Sequence, residues 1–505
     1  MTRITRTVPV LLLAAALAAC GGTSRQDAGP RADAQGLLRF GEIVFTPCAL
    51  SAAGNLSVEA QCATLEVAEN PDDGNGRRIE LALAMVPASG MAEADPVFMI
   101  AGGPGQSALE SYPMMHAAFR DVRRSRHVLL LDARGTGGSH KLQCRADDSE
   151  EMFFEPGDDT RAAMREFAER CRDELSQIAD LRFYTTGEHI RDLDLVRQKL
   201  GVERINLVGV SYGTRVAQQY AARYPQHTRA LVLDSVAPNT LVLGQDHARN
   251  LEDALGEQFA RCRQETACAD NLGDPGEQLA RVRERLQAGG IAPVRYRDPV
   301  SGQWREDVPR FGHLASLLRM YAYHPSMSAT LPLVLHEAAQ GRYESLLAQF
   351  RMLSDDLGDA IAMGMSLSVS CTEDADEMTV EAADEGTVMG NAMVELLQAQ
   401  CAVWPRGSRA AGFREPLAGD MPVLAISGQY DPVTPPRYGD EVVAALPNGR
   451  HIVLPGQGHS VLGIGCMPKL FAQFMETTDA AALDATCLDR LSAQPPFAGA
   501  YGWEP

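Results

Sequence analysis

The sequence predicts an α/β fold in which a mostly parallel sheet, covered by helices on both faces, carries an inserted helical cap. Two observations support this fold class. Short apolar runs at 96–100, 127–131, 205–208 and 229–233 alternate with segments of helical spacing at 160–175 and 189–200. Strands that alternate with helices form parallel sheets buried on both sides. From about 241 to 410 helical spacing dominates, before strand-like runs resume at 421–427 and 450–454.

The same pattern divides the chain into segments. Residues 39–240 are the first part of the predicted core, 241–410 the cap, 411–490 the C-terminal part of the core and 491–505 a packed tail. Within the cap, helices are expected at 248–262, 277–286, 314–323, 331–340 and 343–353. The 505 residues, 45% hydrophobic and 22% charged, have the composition of a soluble globular protein with more than one core.

The first nineteen residues predict an export signal. Arg3 and Arg6 precede an apolar run at 8–17, which is too short to remain as a membrane-spanning helix. The run ends in Leu17-Ala18-Ala19-Cys20, which resembles the lipobox of bacterial lipoproteins. The resemblance implies that Cys20 is lipidated and becomes the mature N-terminus. An ordinary signal peptide with a chance cysteine is the alternative.

Residues 20–38 are expected to tether the core to the lipid, because residues 21–35 are small and polar. The predicted location is therefore the bacterial cell envelope, on its periplasmic or outer face. Gly21 and Gly22 lack the aspartate that retains many lipoproteins at the inner membrane, which slightly favours the outer membrane.

Ten cysteines remain after Cys20, and an even number in an exported chain indicates disulfides. They lie in neighbouring pairs along the chain, and no spacing typical of a metal site accompanies them. The predicted disulfides are Cys48–Cys62, Cys144–Cys171, Cys262–Cys268, Cys371–Cys401 and Cys466–Cys487. Other connectivities stay open, because sequence alone does not fix pairing.

The clearest chemical motif lies between the strand at 205–208 and the helix that follows it. It reads Gly209-Val210-Ser211-Tyr212-Gly213, the G-x-S-x-G pattern. Glycine at both flanks permits a turn too sharp for larger side chains, and such a turn exposes the serine hydroxyl at the head of a helix. The motif predicts Ser211 as a nucleophile. An ordinary glycine-rich turn is the alternative.

A serine nucleophile needs a base, and the base needs a carboxylate to orient it. Near the resumed strands the chain offers Asp420, Asp431 and Asp440. Asp420 precedes its strand and Asp440 lies inside a predicted helix. Asp431 follows a strand end directly, so the sequence favours Asp431.

The base is expected after Asp431 in the chain. His451 begins a strand, where a structural role is expected, whereas His459 lies in the loop that follows the strand. The order serine, aspartate, histidine is that of an α/β-hydrolase catalytic triad. Ser211, Asp431 and His459 are therefore the predicted triad.

A tetrahedral intermediate also needs donors for its oxyanion. One predicted donor is the backbone N–H of Tyr212, directly after the nucleophile. The other is expected from Gly102 or Gly103, in the glycine loop that follows the strand at 96–100. A plain turn containing Pro104 is the alternative for this loop.

The loop at 101–107 reads Ala-Gly-Gly-Pro-Gly-Gln-Ser, and the loop at 132–139 reads Asp-Ala-Arg-Gly-Thr-Gly-Gly-Ser. Together with Gly-Val-Ser-Tyr-Gly at 209–213 and the segments 184–186 and 192–197, these motifs resemble the proline iminopeptidase and tripeptidyl aminopeptidase-like peptidases, which are α/β-hydrolases. The resemblance covers roughly 95–235 and 370–490, and the predicted cap matches that of the family in position and type. Ala101 stands where the family has a histidine, which alters the support of the loop.

The resemblance implies an aminopeptidase that acts on a free peptide N-terminus. A buried substrate ammonium requires a carboxylate partner. Glu373 and Asp374 lie where related enzymes carry acidic residues at the end of the cap, so they are the predicted substrate-binding residues. A solvated acidic turn is the alternative, because further acidic residues follow closely.

Asp132 and Arg134 lie in the second of the loops that carry the resemblance. We expect them to brace the active-site loops through a mutual ion pair and to take no part in the chemistry.

The predicted function is thus a serine hydrolase, an exported aminopeptidase that works through an acyl-enzyme and implies no metal or organic cofactor. Its expected partners are a peptide with a free N-terminus and, through the lipid on Cys20, a membrane. A formal charge of −20 without a basic run makes nucleic acid an unsuitable partner. Two alternatives are a carboxylesterase or lipase-type hydrolase on the same triad, and a non-catalytic surface binding protein.

Overall fold

The structure is a computed structural model that describes residues 29–32, 36–52, 56–144 and 158–503. The predicted signal peptide, Cys20 and most of the predicted tether lie outside these residues, so those expectations stay predictions. The described part of the tether segment contains a two-residue strand, Arg31–Ala32.

Thirteen strands are described, eleven of them in one large sheet and two in a separate hairpin. In chain order they are β1 (Arg31–Ala32), β2 (Leu38–Phe40), β3 (Ile43–Ala52), β4 (Leu56–Ala68), β5 (Arg78–Val86), β6 (Val97–Ile100), β7 (Val128–Leu131), β8 (Ile205–Val210), β9 (Thr228–Asp234), β10 (Val294–Arg297), β11 (Trp304–Asp307), β12 (Val423–Gly428) and β13 (Gly449–Leu454).

The strand order of the large sheet is β1-β2-β3-β4-β5-β7-β6-β8-β9-β12-β13. Strands β1 to β5 pair antiparallel and join β7 in the same way. From β7 to β13 every pairing is parallel. The difference follows the connections, because hairpins join antiparallel strands and parallel strands need long crossovers. The expected parallel sheet is confirmed, and β1 to β5 add an antiparallel extension to it.

Fifteen α-helices are described, and none of them has both the length and the apolar character that crossing a bilayer requires. They are α1 (Ala108–Met115), α2 (Asp158–Leu175), α3 (Thr186–Leu200), α4 (Tyr212–Arg223), α5 (His247–Gln264), α6 (Thr266–Leu272), α7 (Pro275–Ala288), α8 (Phe311–Tyr321), α9 (Pro325–Ser328), α10 (Leu331–Ala339), α11 (Glu344–Ala360), α12 (Met363–Glu373), α13 (Ala392–Cys401), α14 (Pro436–Ala444) and α15 (Met467–Thr477). Short 3-10 helices span His116–Phe119, Val122–Arg124, Leu181–Phe183, Pro225–His227, Ala382–Asp384 and Thr486–Arg490.

Alternate residues of the central strands enter hydrophobic clusters on opposite faces of the sheet. Leu129 and Leu207 belong to the cluster that includes residues of α2, α3 and α4. Leu130 and Val208 belong to the other cluster, which includes residues of α1 and α15. Helices on both faces therefore bury both sides of the strands, as continuous apolar runs predict.

Helices α5 to α13 and the β10–β11 hairpin lie between β9 and β12 and form the cap. A third cluster, which includes Leu251, Val282, Leu314 and Leu335, gives the cap a core of its own. The sequence did not predict α12, because almost all of its residues are buried and its polar residues alternate with apolar ones, so it lacks the polar stripe of an amphipathic helix. It also missed α13 and the hairpin.

Five disulfides join the described cysteines in the predicted pairs. They are Cys48–Cys62, Cys144–Cys171, Cys262–Cys268, Cys371–Cys401 and Cys466–Cys487. Cys371–Cys401 links the ends of α12 and α13 and so ties the last two cap helices together.

Candidate active site

The candidate site lies at the carboxyl edge of the parallel strands. Strand β6 leads into the loop at 101–107, β8 ends just before Ser211 and β9 ends at Asp234. Asp431 and His459 follow β12 and β13. Because the carboxyl ends of parallel strands meet at one side of a sheet, residues far apart in sequence converge there.

Ser211 occupies the sharp turn that its motif predicts. It has φ 55° and ψ −125° and lies between β8 and α4. Its N–H donates to the carbonyl oxygen of Asp234 at 2.8 Å, across to the neighbouring strand. A Cβ at Gly209 would overlap the backbone of Gly213, and a Cβ at Gly213 would overlap the carbonyl oxygen of Ile100. Both glycines are therefore required for the turn.

Asp431 and His459 are joined by a hydrogen bond. His459 Nδ1 donates to Asp431 Oδ2 at 2.8 Å. The carboxylate also accepts the N–H groups of Val433 and Thr434 at 3.0 and 2.8 Å, and the Thr434 hydroxyl at 2.9 Å. Since Asp431 is buried and its oxygens are held from several directions, it fixes the orientation of the imidazole and leaves Nε2 as the proton acceptor.

The charges of this pair support each other. Burial alone would raise the pKa of Asp431, but the charge of His459 and the hydrogen bonds to the carboxylate outweigh it and lower that pKa. Burial alone would lower the pKa of His459, but the charge of Asp431 and the hydrogen bond to it raise that pKa above its ordinary value. The site therefore stabilises an imidazolium, which is the form that a general base becomes.

The cap contacts the histidine loop directly. The backbone N–H of His459 donates to the carbonyl oxygen of Tyr323, just after α8, at 2.8 Å. The ring of Tyr323 lies edge-on to the imidazole, with centroids 5.0 Å apart. A Cβ at Gly458 would collide with the Tyr323 carbonyl oxygen, so this glycine permits the close approach. The cap thus helps to place the imidazole.

The glycine loop lies against the nucleophile. A Cβ at Gly102 would be 3.0 Å from the Cβ of Ser211, so the backbone of the loop is close enough to face a carbonyl under attack. Gly103 and Gly105 have φ of 107° and 109°, which favour glycine. The N–H of Ala362 in the cap donates to the carbonyl oxygen of Gly105 at 2.9 Å. The N–H of Tyr212 opens α4, where backbone donors favour negative charge.

Asp132 and Arg134 brace the loops, but the expected ion pair between them is wrong. Arg134 forms a buried bidentate pair with Asp192 on α3, with both N–O distances 2.8 Å. Asp132 accepts the hydroxyl of Ser107 at 2.7 Å and the N–H of Gly138 at 2.9 Å. Arg134 thus connects its loop to α3, and Asp132 connects it to the loop at 101–107. The two residues do not pair with each other.

Asp374 is fully buried and bound to two arginines. Its carboxylate accepts from Arg215 on the nucleophile helix at 3.1 Å and from Arg414 at 2.9 Å. The N–H of Leu243 adds a third donor at 3.0 Å. These contacts attach the end of α12 to α4, and a substrate contact of Asp374 stays a prediction.

Glu373 is also buried, and Thr186 connects its carboxylate to the hydroxyl of Tyr212. It accepts the N–H and the hydroxyl of Thr186 at 2.7 and 2.8 Å, and the same hydroxyl lies 2.6 Å from the Tyr212 hydroxyl. Burial, and after it the negative charge of Asp374, raises the pKa of Glu373 to about 7. The substrate contact predicted for Glu373 likewise stays a prediction.

A second serine–histidine–aspartate chain lies nearby. His451 Nε2 is 3.0 Å from Ser427 Oγ, and His451 Nδ1 is 2.8 Å from Asp440 Oδ1. Ser427 lies inside β12 and is completely buried, without a sharp turn or a glycine loop beside it. A substrate carbonyl therefore cannot reach Ser427, and the structural role expected for His451 fits its contacts.

Sequence reasoning missed three residues that support the site. Asp234 is one of them, although a carboxylate at the carboxyl end of a parallel strand such as β9 indicates a residue near the site. Thr434 lies three residues after Asp431 and bonds its carboxylate. Tyr323 gave no signal, because its contact with His459 depends on how the cap folds over the core. Within the described residues, no group of three or more His, Cys, Asp or Glu side chains is arranged to hold a metal ion.

Two protein families match parts of the chain. A family described as having the α/β hydrolase fold matches residues 95–314, and one described as TAP-like protein matches residues 386–487. The serine protease Hip1 of Mycobacterium tuberculosis is 26% identical over 478 residues, covering 86% of this chain and 88% of Hip1. The tripeptidyl aminopeptidase of Streptomyces coelicolor is 25% identical over 476 residues, covering 87% and 85%.

A further relative is named as an esterase and not as a peptidase. Carboxylesterase B of Mycobacterium tuberculosis is 28% identical over 426 residues, covering 77% of this chain and 78% of that protein. The two family matches together span more than half of the sequence and include all three residues of the predicted triad. The chain has the α/β hydrolase fold, and its residues 386–487 match the TAP-like family.

Proposed function

We propose that the chain is a serine peptidase that releases residues or short peptides from the free N-terminus of peptide substrates. The observation that carries the proposal is the combination of a serine on a strained turn with a hydrogen-bonded Asp431–His459 pair at the same edge of the sheet. Similarity to a serine protease and a tripeptidyl aminopeptidase over most of the chain supports a peptide substrate.

The first half of the reaction forms an acyl-enzyme. His459 Nε2 takes the proton of the Ser211 hydroxyl while Oγ attacks the substrate carbonyl carbon. Asp431 stabilises the imidazolium that results. The backbone N–H groups of Tyr212 and of the Gly102–Gly103 loop bind the negative oxygen of the tetrahedral intermediate. His459 then gives its proton to the leaving amine as the scissile C–N bond breaks.

The second half releases the N-terminal fragment. His459 removes a proton from water, the resulting oxygen nucleophile attacks the ester carbonyl, and the ester bond to Ser211 breaks as the serine regains its proton. The same backbone donors stabilise the second oxyanion. Every proton transfer uses His459, and water is the co-reactant of the second half.

Recognition of a free N-terminus requires an anionic group for the substrate ammonium. Glu373 and Asp374 are our candidates, because the resemblance to aminopeptidases implies acidic residues at the end of the cap. In the structure both carboxylates are buried and bonded to protein groups. A substrate contact would therefore need α12 to rearrange, and Glu373 is the better candidate because its partner is the neutral Thr186.

An esterase is the second candidate function. The same triad cleaves esters, and similarity to a carboxylesterase over 77% of the chain favours this alternative. The two functions differ in the need for an ammonium group, which ester cleavage does not require.

We further propose that the protein is lipid-anchored in the bacterial cell envelope through Cys20. The lipobox-like sequence supports the anchor, and five disulfides support an oxidising compartment. The membrane and the peptide substrate would be its two partners.

The triad is tested by substitution against the nearby structural pair. Ser211→Ala, His459→Ala and Asp431→Asn are each expected to lower kcat for a chromogenic peptide amide roughly 10⁴-fold or more, because each removes a member of a unit. His451→Gln and Asp440→Asn are matched controls and should keep kcat within a few-fold. Full activity in His459→Ala, or its loss in Asp440→Asn alone, would contradict the assignment.

The pH dependence tests the electrostatics of the pair. Because the general base must be neutral, activity falls as pH drops through the pKa of His459, which Asp431 raises. The acid limb of kcat/KM should therefore have a midpoint above the ordinary histidine value of about 6.5. A midpoint below that value would show that burial dominates over the carboxylate.

Substrate class is tested with paired amides. Removing the charge of a recognised ammonium by N-acetylation should lower kcat/KM on the order of 100-fold or more. Aminoacyl, dipeptidyl and tripeptidyl amides in the same assay give the length of the released fragment, and a p-nitrophenyl ester is the control. Equal rates for free and acetylated amides, with faster ester cleavage, would favour the esterase.

The same assay tests the ammonium site. In Glu373→Gln the preference for the free amine should fall, because the anionic partner is lost. If both this variant and Asp374→Asn are folded and keep the full preference, neither carboxylate binds the ammonium.

The anchor is tested by expressing the full chain in a bacterium that processes lipoproteins. The wild type should incorporate a labelled fatty acid and sediment with membranes, and Cys20→Ser should lose the label because no thiol remains to be acylated. Labelling that persists in Cys20→Ser would place the lipid elsewhere.

A further inference from the structure

The dipeptide Asp234-Ser235, at the end of β9, contacts the loops that carry Ser211 and His459 and the strand that leads to Asp431. The carbonyl oxygen of Asp234 accepts the N–H of Ser211 at 2.8 Å. The N–H of Ser235 donates to the carbonyl oxygen of Ile426, in the strand that leads to Asp431, at 2.9 Å. The hydroxyl of Ser235 accepts the N–H of Ser460, directly after His459, at 2.8 Å. β9 lies between β8 and β12, which explains this reach.

The carboxylate of Asp234 binds two further residues of the loop that carries His459, which is called the histidine loop below. Oδ1 accepts the N–H of Val461 at 2.9 Å, and Oδ2 accepts the N–H of Leu462 at 3.0 Å. With Ser460, three consecutive N–H groups after His459 are bound by this one dipeptide. Asp234 is completely buried, so leaving its oxygens or these N–H groups without partners would be costly.

The backbone at this junction is strained on both sides. Ser235 has φ 60° and Ser460 has φ 64°, values that side chains rarely adopt. Such conformations persist where surrounding contacts determine them, and they concentrate at functional sites. The hydrogen bond between these two serines is one such contact.

We propose that Asp234 is a positioning residue for the triad, whose carbonyl oxygen fixes the nucleophile loop and whose carboxylate fixes the histidine loop. One residue then sets the relative placement of Ser211 and His459. The inference rests on the proposed serine hydrolase function and adds to it a residue outside the triad.

The position of Asp234 also has an electrostatic consequence. Burial raises the pKa of Asp234 to about 6, and hydrogen bonds from Val461 and Leu462 oppose that rise. In its anionic form Asp234 raises the pKa of His459, in addition to Asp431. The other charged or titratable groups that act on His459 are Arg319, His247 and His324 of the cap.

The test uses Asp234→Asn, which keeps the shape of the side chain and turns one amide donor toward a backbone N–H. Misplacing the histidine loop should lower kcat by about 10- to 100-fold with little change in KM. The acid limb of kcat/KM should move to lower pH, because the charge that raises the pKa of His459 is gone. Asp440→Asn, at an exposed carboxylate, is the matched control and should change neither quantity.

Ser235→Ala is a second variant that keeps the charge. It should lower kcat with unchanged KM but leave the acid limb in place, so the two variants separate positioning from electrostatics. If Asp234→Asn does not fold, the kcat of folded Ser235→Ala decides. A wild-type kcat in folded Asp234→Asn, or in Ser235→Ala if Asp234→Asn does not fold, would overturn the proposal.

The wild type separates this result from a failure of the proposed function. If the wild type cleaves esters but no peptide amide, the peptidase proposal fails and the same variants are measured on the ester. If the folded wild type neither cleaves any substrate nor reacts with a fluorophosphonate, both proposals are overturned.

Discussion

The site depends on one backbone constraint, the left-handed conformation of Ser211 between β8 and α4. At φ 55° the chain turns sharply between β8 and α4, so that the first residues of α4 follow Ser211 directly. Two glycines leave space for the turn, and the hydrogen bond from Ser211 to Asp234 holds it from the neighbouring strand. Substitutions at these glycines would therefore disturb the position of Ser211, although they leave the three side chains of the predicted triad unchanged.

The cap is part of the active centre as well as its cover. Tyr323 binds the backbone of His459, and Ala362 binds the glycine loop through Gly105. Asp374 ties the end of α12 to the nucleophile helix through Arg215. These contacts join the cap to His459, to the loop at 101–107 and to the helix that follows Ser211. Cap position and catalytic geometry are consequently coupled.

Sequence reasoning predicted the parts of the molecule that follow local rules. The turn at Ser211 follows from its flanking glycines, and Asp431 and His459 follow from their positions after strands. It failed where long-range packing decides the outcome. Arg134 pairs with Asp192, far along the chain, and α12 lacks a polar stripe because the cap and the core enclose it. The burial of Glu373 and its hydrogen-bond partners could not be predicted without the fold either.

The most direct measurement locates the covalent adduct of a fluorophosphonate by mass spectrometry after tryptic digestion. Such a probe reacts with a serine whose proton is removed by a neighbouring base. The tryptic peptide from Ile205 to Arg215 contains Ser211 as its sole serine. We expect one phosphonyl group on that peptide. An adduct on the peptide that contains Ser427, or no adduct on folded protein, would contradict it.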